Sequence, residues 1–188
     1  MIGTGKTFVL DALLSYVRGL GEVALCCASS GVAAALYPGG RTAHNLFKID
    51  VHLETAEYPQ KIQCNVSPRS QRASLLQQAK LIIWDEFVMS HRANFEAVND
   101  MLQHIRENSR PCGDIIFVGA SDFRQIPPVV VNGGKDDVID ATIKTSDLWK
   151  SFQQCYLATP VRQADDLAYA RYSNTCRYIR TPSINYKT

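Results

Sequence analysis

Apolar residues along this chain follow two alternating patterns, one typical of amphipathic helices and one typical of short buried strands. Apolar positions at helical spacing predict a helix, and a short unbroken apolar run predicts a strand that is buried on both faces. The helical pattern covers residues 6–20, 31–37, 70–78, 91–107 and 146–152. The strand pattern covers residues 23–28, 81–84, 114–118 and 154–157. Because helices lie between buried strands, the sequence predicts an α/β doubly wound domain with a parallel sheet.

One of these strands ends in two adjacent carboxylates, in the run Leu81-Ile-Ile-Trp-Asp85-Glu86. A buried parallel strand delivers the residues that follow it to the edge of the sheet, where open α/β sheets bind their ligands. There Asp85 could hold the water shell of a Mg²⁺ ion, and Glu86 could orient or deprotonate an attacking water. The alternative is a solvated turn after a strand.

The first predicted helix begins within Gly3-Thr4-Gly5-Lys6-Thr7, the second half of a phosphate-binding loop. Glycines let backbone N–H groups point at a phosphate, and the helix N-terminus adds positive potential. Lys6 is expected to reach the β- and γ-phosphates of a nucleotide, and Thr7 to place its hydroxyl on Mg²⁺. A glycine-rich turn that caps a helix is the alternative. The complete pattern needs a glycine five positions before Gly5, which falls upstream of Met1.

A third element, Ser121-Asp-Phe-Arg-Gln125-Ile-Pro-Pro-Val129, follows the strand predicted over residues 114–118. The Gln125 amide can hydrogen-bond a γ-phosphate or the lytic water, and so report whether phosphate is bound. The two prolines stiffen the exit of this loop. A Pro-Pro turn with an incidental glutamine is the alternative. The phosphate loop and the acid-tipped strand are together the two halves of a Mg²⁺-nucleotide site.

Composition adds little to this interpretation. A net charge of +2 is too small to indicate nucleic-acid binding by itself. The six cysteines have no C-x-x-C pairing, which favours buried free thiols in a reducing compartment, and no histidine has metal-ligand spacing with them. No apolar stretch reaches the roughly 18 residues that a membrane-spanning helix needs.

Taken in order, these motifs resemble those of the petite-integration-frequency (PIF) family of DNA helicases, including the helicase part of Helitron transposons. The similarity extends to about residue 163 and is carried by residues 3–8, 28–34, 40–44, 84–86 and 122–129. Ser121 and Pro160 depart from it, since the family usually has glycine and asparagine there. The resemblance implies a RecA-like phosphate-loop domain over residues 1–163, with helices on both faces of a mostly parallel sheet and the first strand missing. Residues 164–188 would begin a following segment or form an unstructured tail.

The resemblance also implies an activity. Such helicases are superfamily 1 motors that hydrolyse ATP with Mg²⁺ while moving 5′ to 3′ on single-stranded DNA and at forks, in DNA repair, recombination and telomere maintenance. The catalytic residues implied here are Glu86, Gln125 and Arg162, the last reaching the γ-phosphate. The residues implied to face DNA are Ser29, Ser30, Gly31, Thr42 and His44. Phe47 is expected to be a core aromatic rather than a stacking surface for a base.

The resemblance implies a second RecA-like domain in the full-length protein and a place in the nucleus or the mitochondrion. One domain cannot step along DNA, so we expect this chain to be a fragment that binds nucleotide poorly and unwinds nothing. A non-catalytic relic that binds single-stranded DNA is an alternative, and its DNA binding would survive Lys6→Ala and Glu86→Gln. A phosphate-loop ATPase that acts on something other than DNA is a further alternative.

Overall fold

The computed structural model describes residues 5–50, 62–122, 127–130 and 132–157. The chain divides into two compact units, one formed by Thr7–Gln154 and the other by Met1–Lys6 together with Cys155–Thr188. The first unit contains the sheet described below. Within the described ranges, no helix is long and apolar enough to cross a membrane. The domain boundary predicted at residue 163 lies outside the described residues and stays a prediction.

A parallel sheet forms the centre of the unit Thr7–Gln154. Its strands are β1 (Val23–Ala28), β2 (Arg41–Thr42), β3 (Ala79–Asp85) and β4 (Ile116–Ala120). They lie in the order β2-β1-β3-β4, and every neighbouring pair is parallel. The predicted parallel sheet is therefore confirmed.

Helices connect these strands, and four of them lie where the apolar pattern predicts, whereas strand β2 was not predicted. The α-helices of the described residues are α1 (Lys6–Gly19), α2 (Gly31–Ala34), α3 (Ala43–Phe47), α4 (Gln71–Gln78), α5 (Arg92–Arg106) and α6 (Lys135–Asp140). Short 3₁₀ turns lie at Phe87–Met89, Pro111–Asp114, Ile143–Thr145 and Asp147–Ser151. Ser70 begins α4 by accepting a hydrogen bond from the backbone N–H of Ala73 at 3.1 Å, a standard helix cap.

Alternating side chains of β3 point into two separate apolar clusters, one on each face of the sheet. Ile82 and Trp84 face the larger cluster, which includes buried residues of α4 and α5. Leu81 and Ile83 face a smaller cluster that includes residues of α1. Because both faces of the strand are covered, the run can be apolar throughout, as the sequence indicated.

The larger cluster is rich in aromatic rings. Trp84 is fully buried and contacts Phe47 and Phe87, with ring centroids 5.7 and 5.4 Å away. Phe95 of α5 packs edge-on against Phe87 at 5.1 Å. Phe47 is itself fully buried, which confirms that it belongs to the core.

Some predicted elements differ from the observed ones. Residues 154–157 were predicted as a strand but have no regular secondary structure, and Tyr156 is 78% exposed. An apolar run forms a strand only when another strand pairs with its backbone groups. The helix predicted over 146–152 is a 3₁₀ turn, and the strand predicted from residue 114 begins at Ile116. Cys112 and Gly113 have positive φ angles of 52° and 62°, so the chain turns there before the strand can start.

Two differences concern short helices. The helix predicted over 31–37 is α-helical only from Gly31 to Ala34, after which the N–H groups of Leu36 and Tyr37 donate to carbonyls three residues back in tighter turns. Helix α6 was not predicted from the sequence. The sequence feature that could have predicted it is the acidic first turn after two glycines, since acidic side chains stabilise the start of a helix. In the structure the backbone N–H of Gly134 donates to Asp137 at 2.8 Å.

Candidate nucleotide and DNA site

The register of the sheet aligns the ends of neighbouring strands. Ala28 of β1 pairs with both Thr42 of β2 and Asp85 of β3, and Asp85 pairs with Ala120 of β4. These four residues form one row across the sheet at its carboxyl edge. The predicted motifs that follow the strands therefore meet along one edge, where open parallel sheets bind ligands.

Asp85 lies at the centre of this edge and is 2% exposed. Its Oδ1 accepts a hydrogen bond from the backbone N–H of Glu86 at 2.8 Å. Its Oδ2 accepts a hydrogen bond from the hydroxyl of Tyr37 at 2.7 Å. Both carboxylate oxygens are thus held in place, which the sequence, predicting Asp85 as a Mg²⁺ residue, did not indicate.

Tyr37 was not predicted as a site residue. Burial, and then its hydrogen bond to Asp85, raise the pKa of the phenol well above its ordinary value. The side chain of Thr7 also hydrogen-bonds this phenol. Tyr37 therefore links Thr7, at the start of α1, to Asp85, at the end of β3. The available signal was an isolated tyrosine before Pro-Gly-Gly, which by itself indicates only a turn.

The phosphate-loop residues lie at the start of α1. Gly5 has a φ angle of +78°, a left-handed conformation that favours glycine, and α1 begins at Lys6. This is the backbone arrangement that the predicted loop needs immediately before its helix. Gly3 and Thr4 lie outside the described residues.

Glu86 turns the chain sharply after β3. Its backbone is left-handed, with φ 53° and ψ 36°, an uncommon conformation for a residue with a side chain. Its carbonyl accepts hydrogen bonds from the Ser29 hydroxyl at 2.7 Å and from the backbone N–H of Met89 at 3.1 Å. Residues held in such conformations often cluster at functional sites, because the surroundings must compensate for the strain.

The Ser29 hydroxyl links two elements of the edge. It donates to the Glu86 carbonyl and accepts a hydrogen bond from the indole N–H of Trp84 at 3.0 Å. The Ser29 backbone N–H also donates to the Asp85 carbonyl at 3.1 Å. Ser29 was predicted to face DNA, whereas its hydroxyl makes these contacts within the protein.

The other residues predicted to face DNA lie at the starts of α2 and α3. Ser30 caps α2 by accepting a hydrogen bond from the N–H of Ala33 at 3.2 Å. Thr42 caps α3 by accepting one from the N–H of Asn45 at 3.3 Å. Gly31 is exposed at the first position of α2 and His44 is half-buried at the second position of α3. The two helix starts follow adjacent strands, because β1 and β2 pair directly.

Ser121 stands where glycine is usual in the family. Its hydroxyl accepts a hydrogen bond from the backbone N–H of Val88 at 2.8 Å and donates to the Ala120 carbonyl at 2.6 Å. It therefore ties the turn after β3 to the end of β4. Gln125 and Arg162 lie outside the described residues, so their predicted roles stay predictions.

The oxygen groups that Tyr37 brings together suit Mg²⁺. Magnesium binds hard oxygen ligands such as carboxylates and hydroxyls, and one or two protein ligands are enough when a nucleotide supplies the rest. Thr7 and Asp85 offer one oxygen group of each kind. Among the described residues there is no cluster of three or more His, Cys, Asp or Glu side chains that could hold a metal ion by themselves.

Comparison with known proteins decides the family. The family model described as PIF1-like helicase matches residues 1–180 of this chain. The chain belongs to this family. Its relatives are named ATP-dependent DNA helicases, so the family is enzymatic. The predicted resemblance is confirmed.

One curated relative and two solved structures show how far the similarity extends. The ATP-dependent DNA helicase Pif1 of Psychrobacter sp. (strain PRwf-1) is 33% identical over 161 residues, which are 86% of this chain and 24% of that protein. The crystal structure of Pif1 helicase from Candida albicans has a TM-score of 0.73 at 27% identity, covering 94% of this chain and 39% of that one. Bacteroides sp. Pif1 in complex with ADP-AlF4 has a TM-score of 0.65 at 25% identity, covering 86% of this chain and 37% of that one. The chain thus spans about a quarter of the length of the first curated relatives that it matches.

Proposed function

We propose that this chain is the first RecA-like domain of an ATP-dependent DNA helicase that moves 5′ to 3′ on single-stranded DNA. The observation that carries the proposal is the row of strand ends, which brings Asp85 and Thr42 to one carboxyl edge of a PIF1-like sheet. The DNA substrates are single strands and forks, and the processes served are repair, recombination and telomere maintenance. The nucleus or the mitochondrion is the proposed compartment.

Nucleotide binding is assigned to the phosphate-loop residues and the acid-tipped strand. In this proposal Gly3, Thr4 and Gly5 surround the β-phosphate with backbone N–H groups, and Lys6 reaches the β- and γ-phosphates. The ADP-AlF4 complex of Bacteroides sp. Pif1 supports a nucleotide as the ligand.

Metal binding is assigned to Thr7 and Asp85. The Tyr37 hydroxyl donates to Asp85 and accepts from the Thr7 side chain, which supports this pair as the ligand set. When bound, Mg²⁺ would neutralise charge that develops on the transferred phosphate. The chain's own contribution is to hold the Thr7 hydroxyl and the Asp85 carboxylate in position to bind the ion.

Water activation is assigned to Glu86. Its carbonyl accepts hydrogen bonds from Ser29 and Met89, and its N–H donates to the Asp85 carboxylate. These three hydrogen bonds fix its backbone. A fixed backbone limits where the Glu86 carboxylate can lie, which suits a group that must orient one water. Gln125 and Arg162 are proposed to contact the γ-phosphate.

DNA binding is assigned to the starts of α2 and α3. Short hydroxyls and backbone N–H groups at helix starts hold phosphates without reading sequence, which suits a protein that moves along a strand. Ser30, Gly31, Thr42 and His44 would make these contacts. Ser29 would act through Glu86, since its hydroxyl already contacts the Glu86 carbonyl. A DNA contact on α2 would in this way reach the residue that activates water.

Strand separation is proposed for the longer protein, which would supply a second RecA-like domain. Relative motion of two domains around the nucleotide converts hydrolysis into movement, so the 188-residue chain alone is proposed to bind nucleotide weakly and to displace no strand.

The test is the affinity of the chain for a fluorescent ADP analogue with Mg²⁺, measured beside Lys6→Ala and the matched control Lys135→Ala. Lys6→Ala should weaken binding about 10- to 100-fold, because it removes a charged hydrogen-bond donor to phosphate worth about 1.5–3 kcal/mol. Lys135→Ala should bind like the parent chain. Equal affinities of all three chains would overturn the assignment of Lys6.

DNA binding distinguishes a helicase domain from a relic. A labelled single-stranded oligonucleotide should bind the chain more weakly as salt rises, since phosphate contacts release counterions. Binding of DNA with no binding of nucleotide by the parent chain would favour the relic. If hydrolysis is detected, Glu86→Gln should bind nucleotide without cleaving it, and turnover retained in this variant would remove Glu86 from its assigned role.

A further inference from the structure

Tyr37 lies on the face of the sheet opposite to Trp84. Its ring is 3% exposed and belongs to the smaller apolar cluster, which includes Leu10 and Leu14 of α1 and Ile83 of β3. A phenylalanine ring would fill this space equally well. A buried hydroxyl is unfavourable unless it is hydrogen-bonded, so the contacts of the Tyr37 hydroxyl need an explanation beyond packing.

The backbone on either side of Tyr37 is fixed. The guanidinium of Arg18 donates to the carbonyl of Pro38 at 3.0 Å. The N–H of Gly40 donates to the Tyr37 carbonyl at 2.9 Å. A Cβ atom at Gly40 would lie 2.2 Å from the carbonyl oxygen of Ala34, so this close turn requires glycine. The turn therefore sets the direction in which the tyrosine side chain enters the cluster.

The hydroxyl reaches two residues from different elements. It donates to Oδ2 of Asp85 at 2.7 Å, and the side chain of Thr7 hydrogen-bonds the same phenol. Thr7 and Asp85 are the two side chains assigned to Mg²⁺ above. One buried hydroxyl thus contacts both members of the assigned ligand pair.

We propose that Tyr37 is a positioning residue of the Mg²⁺-nucleotide site, which fixes the Asp85 carboxylate beside the Thr7 hydroxyl; this inference rests on the proposed function. The N–H of Glu86 holds Oδ1 of Asp85 and Tyr37 holds Oδ2. A carboxylate has about four lone-pair sites, so these two hydrogen bonds are compatible with a metal ion or its water on the same group. Carboxylate ligands oriented in this way by hydrogen-bond donors bind metal more tightly.

The geometry favours support of the metal ion rather than competition with it. The Tyr37 hydroxyl donates a hydrogen bond to Asp85, and a neutral donor of this kind can stay in place while the carboxylate binds the ion. Loss of the hydroxyl would remove the hydrogen bond that fixes Oδ2 of Asp85.

The test compares Tyr37→Phe with the parent chain and with Tyr16→Phe, a matched control on the surface of α1 where Tyr16 is 68% exposed. Affinity for a fluorescent ADP analogue is measured in Mg²⁺ and in EDTA. The ratio of the two affinities reports the contribution of the metal, and a general loss of structure would not change it selectively. Thermal unfolding of each variant checks that it is folded.

For Tyr37→Phe we expect the gain in affinity from Mg²⁺ to fall about tenfold, with the affinity in EDTA unchanged. Tyr16→Phe should match the parent chain in both conditions. If the ratio of the affinities in Mg²⁺ and EDTA is unchanged in Tyr37→Phe, the inference is overturned while the proposed function stays intact. The same holds if Tyr37→Phe binds more tightly in Mg²⁺, which would mean that Tyr37 competes with the ion for Asp85. A parent chain that binds nucleotide no better in Mg²⁺ than in EDTA overturns both. If Tyr37→Phe does not fold, Thr7→Ala and Asp85→Asn are compared in the same way, and full retention of the Mg²⁺ gain in both overturns the inference.

Discussion

The two proposed ligand regions of this edge are built differently, although they lie on neighbouring strands. At the end of β3, Asp85 is buried and both of its carboxylate oxygens accept hydrogen bonds from the protein. At the start of α2, Gly31 is exposed, Val32 is 83% exposed, and one hydroxyl caps the helix. The first region is fixed by contacts on several sides, and the second is a short helix start close to solvent.

This difference matches what each region is proposed to do. Phosphoryl transfer depends on groups that are already in position, because reorganising them during the reaction would raise the barrier. Movement along DNA requires contacts that form and break repeatedly without reading sequence. Ser29 connects the regions, since it contacts the Glu86 carbonyl and immediately precedes the cap of α2.

The largest effect on this contrast should come from the core beneath the first region. Trp84→Ala removes a fully buried ring and the indole that donates to Ser29, so the free energy of unfolding should fall by about 3–5 kcal/mol. Val32→Ala, on the exposed helix start, should change it by less than about 0.5 kcal/mol. Urea unfolding measures both values. A loss below about 1 kcal/mol in Trp84→Ala would show that the aromatic cluster does not support the edge.

A smaller effect should separate the two adjacent serines. Ser29→Ala leaves the Trp84 indole and the Glu86 carbonyl each without one hydrogen bond, at a cost of about 1–3 kcal/mol. Ser30→Ala removes a helix cap at a cost of about 1 kcal/mol.

The two serine variants should also differ in ligand binding. Ser30→Ala should weaken binding of single-stranded DNA and leave nucleotide binding unchanged, whereas Ser29→Ala should affect both. Urea unfolding, with nucleotide and DNA titrations of each variant, measures the difference. Identical profiles for the two variants would mean that Ser29 does not connect the regions.

The smallest expected effect concerns the reactivity of the buried cysteines, which tests whether reagents in solvent can reach the interior beneath both regions. Burial raises the pKa of Cys112 to about 12, and burial likewise raises the pKa of Cys27. Both thiols therefore stay protonated at pH 8. They should react slowly, because only the thiolate is nucleophilic. Iodoacetamide should alkylate exposed Cys155 much faster than Cys27 and Cys112 in the folded chain, as mass spectrometry of peptides can measure.

Urea supplies the control for the alkylation experiment. Unfolding returns the thiol pKa values to their ordinary range, so all three cysteines should react at similar rates in urea. Rapid alkylation of Cys112 in the folded chain would show that the interior opens readily.

Much of the fold could be predicted from the sequence because the relevant signals are local. The apolar run before Asp85 predicted β3, and the stripe of apolar residues over 91–107 predicted α5, which spans Arg92–Arg106. The helix starting at Lys6 was predicted from its apolar spacing. The strand predicted over 154–157 was wrong because a short apolar run does not reveal whether a partner strand is available.

The candidate site was predicted in part. Asp85, Glu86, Thr7 and Lys6 could be proposed from the sequence because their spacing after a strand or before a helix is typical of phosphate-binding motifs. Tyr37 was missed because the hydrogen bond that links it to Asp85 spans 48 residues of sequence. From the sequence, Ser121 could be recognised only as a departure from the family pattern. The structure shows what its hydroxyl does, since it accepts a hydrogen bond from the Val88 N–H.

By itself, the sequence determined most of the strands and helices around the candidate site and the motifs from which phosphate binding is proposed, because apolar periodicity and short motifs depend on neighbours along the chain. Only the tertiary structure decided that Ala28, Thr42 and Asp85 share one row, because register is set by pairing between distant strands. It also decided the left-handed turn at Glu86 and the role of the Ser29 hydroxyl, since both depend on hydrogen bonds between separate elements.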